Sequence, residues 1–95
     1  MATVIGLCTL ELHIPAATSL KDKRSVLKSM LEGLRSRFNV SAAEVEHLDL
    51  WQRATVAITC VSNSQTFCNQ VLDKTVEWVE HNPRVYVTRV ELEFL

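Results

Sequence analysis

Apolar and polar residues alternate over residues 4–14. Val4, Cys8, Leu10, Leu12 and Ile14 fall on one face, and Thr9, Glu11 and His13 on the other. A period of two marks a strand packed on one side. Ile5 and Leu7 fall on the second face, so its first half is apolar too, and Pro15 ends the strand. From Ser19 the period lengthens. Ser19 reads as a helix N-cap, with Asp22 three residues on in a capping-box-like arrangement. Leu20, Leu27, Met30, Leu31, Leu34 and Phe38 then line one helical stripe that ends near Asn39. Gly33 inside this helix costs about 1 kcal/mol against Ala, a cost that a close approach to the sheet would explain. Residues 40–47 read as a short second strand and residues 48–52 as a turn. Residues 53–61 read as a third strand, with Ala54, Val56, Ile58 and Cys60 inward and Arg53, Thr55 and Thr59 outward. Ser62-Asn63-Ser64 breaks that strand and offers a second N-cap. Residues 65–80 form a second helix, with Cys68, Val71, Leu72, Thr75, Val76 and Val79 on its inner stripe. Asn82-Pro83 stops it, and residues 85–94 form the last strand.

The order β-α-β-β-α-β contains two helical crossovers, and such crossovers are right-handed in nearly all folds. Interleaved, they give one antiparallel four-stranded sheet in the order 4-1-3-2, with both helices on one face. This is the ferredoxin-like α+β sandwich, expected as a single domain over residues 1–95. The first and third strands, the most apolar, fall at its centre.

Composition narrows the function classes. The chain has 95 residues, 47% of them hydrophobic and 22% charged, with only two Gly and two Pro. That suits one packed core and argues against a disordered or stapled scaffold. A net charge of −1 gives no whole-molecule basic field for nucleic acid. Three scattered cysteines, without C-x-x-C, fit neither a disulfide framework nor a zinc site, and they read as buried packing residues. The first residues lack a basic n-region, and no apolar run approaches the roughly 20 residues that span a bilayer. A cytoplasmic protein without a membrane partner is the expectation.

The fold gathers polar residues at one rim: His13, Ser19, Lys21, His47, Asp49, Trp51, Gln52, Arg53, His81 and Asn82. His47 and His81 fall near opposite edge strands, roughly 14 Å apart at about 4.8 Å per strand, too far to share a metal ion. Neither a metal nor any other cofactor is expected, and no catalytic residue can be named. The start of the first helix is a candidate anion- or RNA-binding site through Ser19, Lys21, Lys23, Arg24 and Lys28, because a helix N-terminus and nearby cations suit phosphate. A capped helix with solvated lysines has the same pattern. Six of the ten basic residues lie between positions 21 and 37, opposed there only by Asp22 and Glu32. The open sheet face is expected to carry Glu11, Glu44, Glu46, Glu91 and Glu93 without paired aromatics, which disfavours RNA there. Trp51, Gln52 and Arg53 in the turn are a candidate partner contact, since a turn seldom needs an indole; folding back over the sheet end is the alternative for Trp51. Phe67 and Trp78 read as ordinary core. No enzymatic glycine, nucleophile or metal motif occurs.

The segments Leu10-Glu11-Leu12-His13-Ile14-Pro15, Ser19-Leu20-Lys21-Asp22-Lys23-Arg24, Phe38-Asn39-Val40-Ser41 and Glu44-Val45-Glu46-His47-Leu48-Asp49-Leu50-Trp51-Gln52-Arg53-Ala54 carry a resemblance over nearly the whole chain. They resemble the YlxP-like family, small bacterial proteins of unknown function. Leu48 departs from the polar residue that relatives tend to carry there. The resemblance implies a ferredoxin-like fold and no established activity, so no catalytic residue is carried over. It also implies a connection with RNA or the ribosome, because family members are often encoded beside translation-initiation and ribosome-maturation factors. Three expectations follow in order: a non-enzymatic RNA- or ribosome-associated module, a self-associating domain using edge strands or the apolar patch Ile5, Leu7, Ala57 and Val87, and a small anion-binding enzyme.

Overall fold

The computed structural model describes residues 2–95. Strand β1 (Val4–His13) is followed by helix α1 (Leu20–Arg37), strands β2 (Ser41–Glu46) and β3 (Arg53–Ser62), helix α2 (Gln65–Glu80) and strand β4 (Tyr86–Phe94). The sheet is antiparallel in the order β2-β3-β1-β4, the order expected from the pattern. The core is the seam between sheet and helices. Cys8, Leu10 and Leu12 of β1 and Ala54, Val56, Ile58 and Cys60 of β3 meet Leu27, Met30 and Leu34 of α1 and Cys68, Leu72 and Val79 of α2.

Each helix begins where a serine can satisfy a free N–H. Ser19 Oγ accepts from Asp22 N at 3.0 Å, and Ser64 Oγ accepts from Phe67 N at 3.2 Å. α1 stops at Phe38, whose extended backbone (φ −130°, ψ 147°) leaves the helix while its N–H still reaches Leu34 O. In α2 the buried Thr75 hydroxyl donates to Leu72 O at 2.6 Å, so a polar group sits in the core without an unmet hydrogen bond.

Two strand irregularities alter the expected faces. β2 slips against β3 between Glu44 and Glu46, so Glu44 lies opposite Val56 while Glu46 lies opposite Thr55. Glu44 therefore faces the helix layer with Ala42, not the open face. β4 slips against β1 at Thr88, which sets Val87 opposite Leu12 on the core side instead of on the open face. Aromatic packing differs too. Phe67 is exposed, whereas Trp78 packs between the helices. Trp78, not the sheet, explains Gly33. A Cβ at position 33 would lie 2.4 Å from Trp78 Cη2 and 2.8 Å from its Cζ2. The Arg37 guanidinium lies over the same indole at 5.4 Å from the ring centre.

Gly33→Ala tests this contact. Helix propensity alone would favour Ala by about 1 kcal/mol, but the overpacking penalty of about 1–3 kcal/mol acts against it. The expected outcome is a lower urea midpoint, and a raised midpoint would show that Trp78 gives way freely.

Candidate functional site

The five candidate residues at the start of α1 do not form one surface. Ser19 is consumed as the N-cap. Asp22, beside it, turns back so that Oδ2 accepts from Thr18 N at 3.1 Å and from Thr18 Oγ1 at 2.7 Å. The Thr18 hydroxyl, followed by the Thr18 N–H, holds the Asp22 carboxyl below the usual carboxylate range. The helix end is thus already supplied with a negative charge of its own.

Lys23 is the larger departure. It is fully buried, its Nζ 2.7 Å from Glu44 Oε2 and 2.5 Å from the carbonyl of His47. Glu44 Oε2 is buried with no other partner, so this charge contact alone compensates it. Positions 20, 23, 27, 30 and 34 share the helix stripe that faces the sheet, which is why the side chain points inward. Lys23 consequently does not belong to the exposed basic face.

Lys21, Arg24 and Lys28 remain. They are exposed, follow one another at spacings of three and four, and so share one ridge of α1. Among the described residues none of the three is in an ion pair. The other two basic residues of α1 are engaged: Arg35 Nη2 donates to Ala42 O at 2.6 Å, and Arg37 covers Trp78.

At the hairpin between β2 and β3, Trp51, Gln52 and Arg53 have separate roles. Gln52 is a strap: its Nε2 donates to Pro15 O at 3.0 Å and Ala17 O at 3.1 Å, and its carbonyl accepts from Ile14 N at 2.9 Å. That removes its amide from any partner contact. Trp51 stays 53% exposed beside exposed Leu48 and Leu50, so it does not fold fully over the sheet end. Leu50 and Trp51, with His13, Asp49, Gln52 and Arg53, line an open concavity of about 510 Å³. His13 stacks on Tyr86 with ring centres 6.4 Å apart. Arg53 Nη2 lies 3.5 Å from His47 Nε2. His81 is elsewhere, in the groove between the helices with Gly33 and Trp78.

The open sheet face holds a shallow depression of about 490 Å³ lined by Glu11, Glu46, Glu91 and Arg89 among apolar and threonine side chains. Thr55 donates to Glu11, and Arg89 pairs with Glu91. This face is unsuited to phosphate. The cysteines are buried, and burial is the main cause that pushes the Cys8 and Cys60 thiols up to about 11, leaving them protonated at neutral pH. No group of three or more His, Cys, Asp and Glu side chains converges among the described residues. No helix among them is long and apolar enough to cross a membrane.

Comparison with known proteins agrees with the resemblance read from the residues. A family described as "Protein of unknown function (DUF503)" matches residues 5–92. An "Uncharacterized protein YlxP" of Bacillus subtilis (strain 168) is 36% identical over 90 residues, covering 93% of this chain and 98% of its own.

Two outcomes check this geometry. Lys23→Met leaves the Glu44 carboxylate buried without a counter-charge and should cost about 3–5 kcal/mol in urea unfolding, whereas Lys23→Met with Glu44→Leu should recover most of it. Equal stability of the single and double variants would show that the pair is not coupled. Asp22 has a folded pKa below its unfolded value of about 3.9, so its contribution is present at neutral pH and fades as pH falls through the folded value. Asp22→Asn should therefore flatten the acid limb of the stability–pH curve below about pH 4.

Proposed function

We propose a function from one premise: the chain belongs to the DUF503 family, proteins of unknown function that include YlxP. On this reading it is a non-enzymatic RNA- or ribosome-associated module, and the outer ridge of α1 is its contact with phosphate. The observation that carries the reading is the run Lys21, Arg24 and Lys28, three exposed cations on one ridge with no ion-pair partner among the described residues.

The argument is electrostatic. Seven residues of helix rise about 10 Å, so the ridge presents its charges along a line that a nucleic-acid backbone can follow. The sheet's other face supplies the contrast, since Glu11, Glu46 and Glu91 there repel the same backbone. A chain of net charge −1 gains nothing from its overall field, so the contact is local, and local phosphate contacts are steeply salt-dependent. Neutralising three phosphates of a single strand corresponds to a slope of roughly −2 in log K against log salt. Trp51 and Arg53, with Leu48 and Leu50, give the module a second exposed surface, of the composition found at protein contacts.

Fluorescence anisotropy with a labelled single-stranded RNA of mixed sequence, together with co-sedimentation with ribosomal particles, tests the assignment. Wild-type RNA binding should follow a slope near −2, and Lys21→Glu, Arg24→Glu and Lys28→Glu combined should abolish it. Trp51→Ala should leave RNA binding intact and weaken co-sedimentation. Salt-independent binding, or unchanged binding by the triple variant, would remove α1 as the contact.

A further inference from the structure

The two edges of the sheet are unequal. β2 is six residues long and is bulged near its end. β4 is nine residues long, and from Arg89 to Phe94 it keeps an unbroken register with β1. Among the described residues no further strand pairs with its outer side, so a row of backbone groups is left for another strand.

Register fixes which groups those are. Leu95 N donates to Ile5 O at 2.8 Å, which makes Ile5 and Leu95 a hydrogen-bonded pair. By the alternation of an antiparallel ladder, Leu7 with Glu93, Thr9 with Glu91 and Glu11 with Arg89 are hydrogen-bonded pairs as well. Val90, Leu92 and Phe94 therefore turn their N–H and C=O groups outward. Their side chains face the helix layer, as do those of their partners Leu10 and Cys8. α2 packs mainly on β1 and β3 and α1 on β2, so Val90 remains 46% and Leu92 39% exposed although both lie on the core side. Free backbone groups and uncovered apolar surface coincide on the same residues.

We propose that this edge is filled by β4 of a second copy of the chain, antiparallel, with the two-fold axis at Glu91. A two-fold axis normal to the sheet keeps each residue on its own face, so only a few registers are open. With the axis at Glu91, Val90 lies opposite Leu92 of the other copy twice, which covers the exposed apolar pair and joins outward-facing backbone groups. Arg89, which pairs with Glu91 of its own strand, lies opposite Glu93 of the other copy twice, so the charges are complementary on the open face. Moving the axis to Val90 sets Leu92 against the bulged Thr88. Moving it to Leu92 sets Glu91 against Glu93 twice and loses both Arg–Glu pairs. The chosen register keeps its five central positions, Arg89 to Glu93, within the regular stretch and leaves only Phe94, at the strand's end, opposite the bulged Thr88; its single like-charge meeting is Glu91 with Glu91. That side chain is 58% exposed, where repulsion is screened.

Sedimentation equilibrium of the full chain from low to high micromolar concentration tests the proposal. Wild type should dimerise with concentration. Arg89→Glu should weaken the dimer severalfold, and Arg89→Glu with Glu93→Arg should restore it. Glu91→Gln, which removes the one repulsive contact, should tighten it about two- to fivefold. All three positions of charge change, Arg89, Glu91 and Glu93, are exposed, and unchanged melting of each variant at low concentration separates dimer loss from unfolding. A monomer at every concentration overturns the proposal and leaves the edge to an extended segment of a different protein. A dimer indifferent to Arg89→Glu places the contact elsewhere, and weakening by Glu91→Gln overturns the register.

Discussion

A buried ammonium sets the geometry of one end of this protein. Lys23 has no exposed surface, and its charge is met by Glu44 of β2 and by the carbonyl of His47. Removing an ammonium from water is costly, so the ion is tolerated only where both partners stay in place. His47 adopts a left-handed backbone (φ 63°), uncommon outside glycine, and its carbonyl also accepts from Leu50 N at 3.0 Å. Two donors thus hold the turn in that conformation. Gln52 adds a second strap from the hairpin to the loop between β1 and α1. The rim of the sheet is fixed from inside by polar side chains, while Leu48, Leu50 and Trp51 stay outside.

The architecture was legible because strands and helices here keep clean periods. The alternation in β1 and β3, the two serine caps and the Asn82-Pro83 stop place every element within a residue or two of its observed bounds. What was not legible sits where a period breaks. The slip between Glu44 and Glu46 moves Glu44 to the core side, and the slip at Thr88 does the same for Val87. A bulge depends on pairing with a neighbour, and a single strand's pattern does not contain it. Lys23 is a different case. Its place on the stripe with Leu27, Met30 and Leu34 is visible in the spacing, but a lysine reads as solvated until its counter-charge is found. That partner, Glu44, was hidden by the bulge, so one unseen irregularity concealed both halves of the pair and enlarged the apparent basic face. Phe67 shows the opposite limit, an aromatic residue read as core that lies just outside the buried stripe of α2.

Once the pair is recognised, the remaining charges separate by face. Among the described residues Lys21, Arg24 and Lys28 of α1 have no ion-pair partner, whereas Arg35 and Arg37 are spent on a backbone carbonyl and an indole. The open sheet face collects Glu11, Glu46 and Glu91. A net charge near zero thus conceals an uneven distribution, with exposed cations in a row on α1 and carboxylates gathered on the open face.

The same anchoring lies at the edge of the sheet opposite the bare one. α1 is tied to β2 by Lys23 to Glu44 and again by Arg35 to the carbonyl of Ala42. Gly33 leaves room for the Trp78 indole of α2 against α1. α1 packs on β2, and α2 mainly on β1 and β3, so part of the fourth strand stays uncovered although Val90, Leu92 and Phe94 lie on its core side. Apolar side chains on a strand that the chain's own helices do not reach are a net cost in an isolated protein. Their charged neighbours on the open face, Arg89 and Glu93, deter indiscriminate pairing along that edge and admit a strand only in a matching register. The edge tied to α1 by Lys23 and Arg35 is thus the covered one, and on the core side free backbone groups coincide with uncovered apolar side chains at the edge that neither tie reaches.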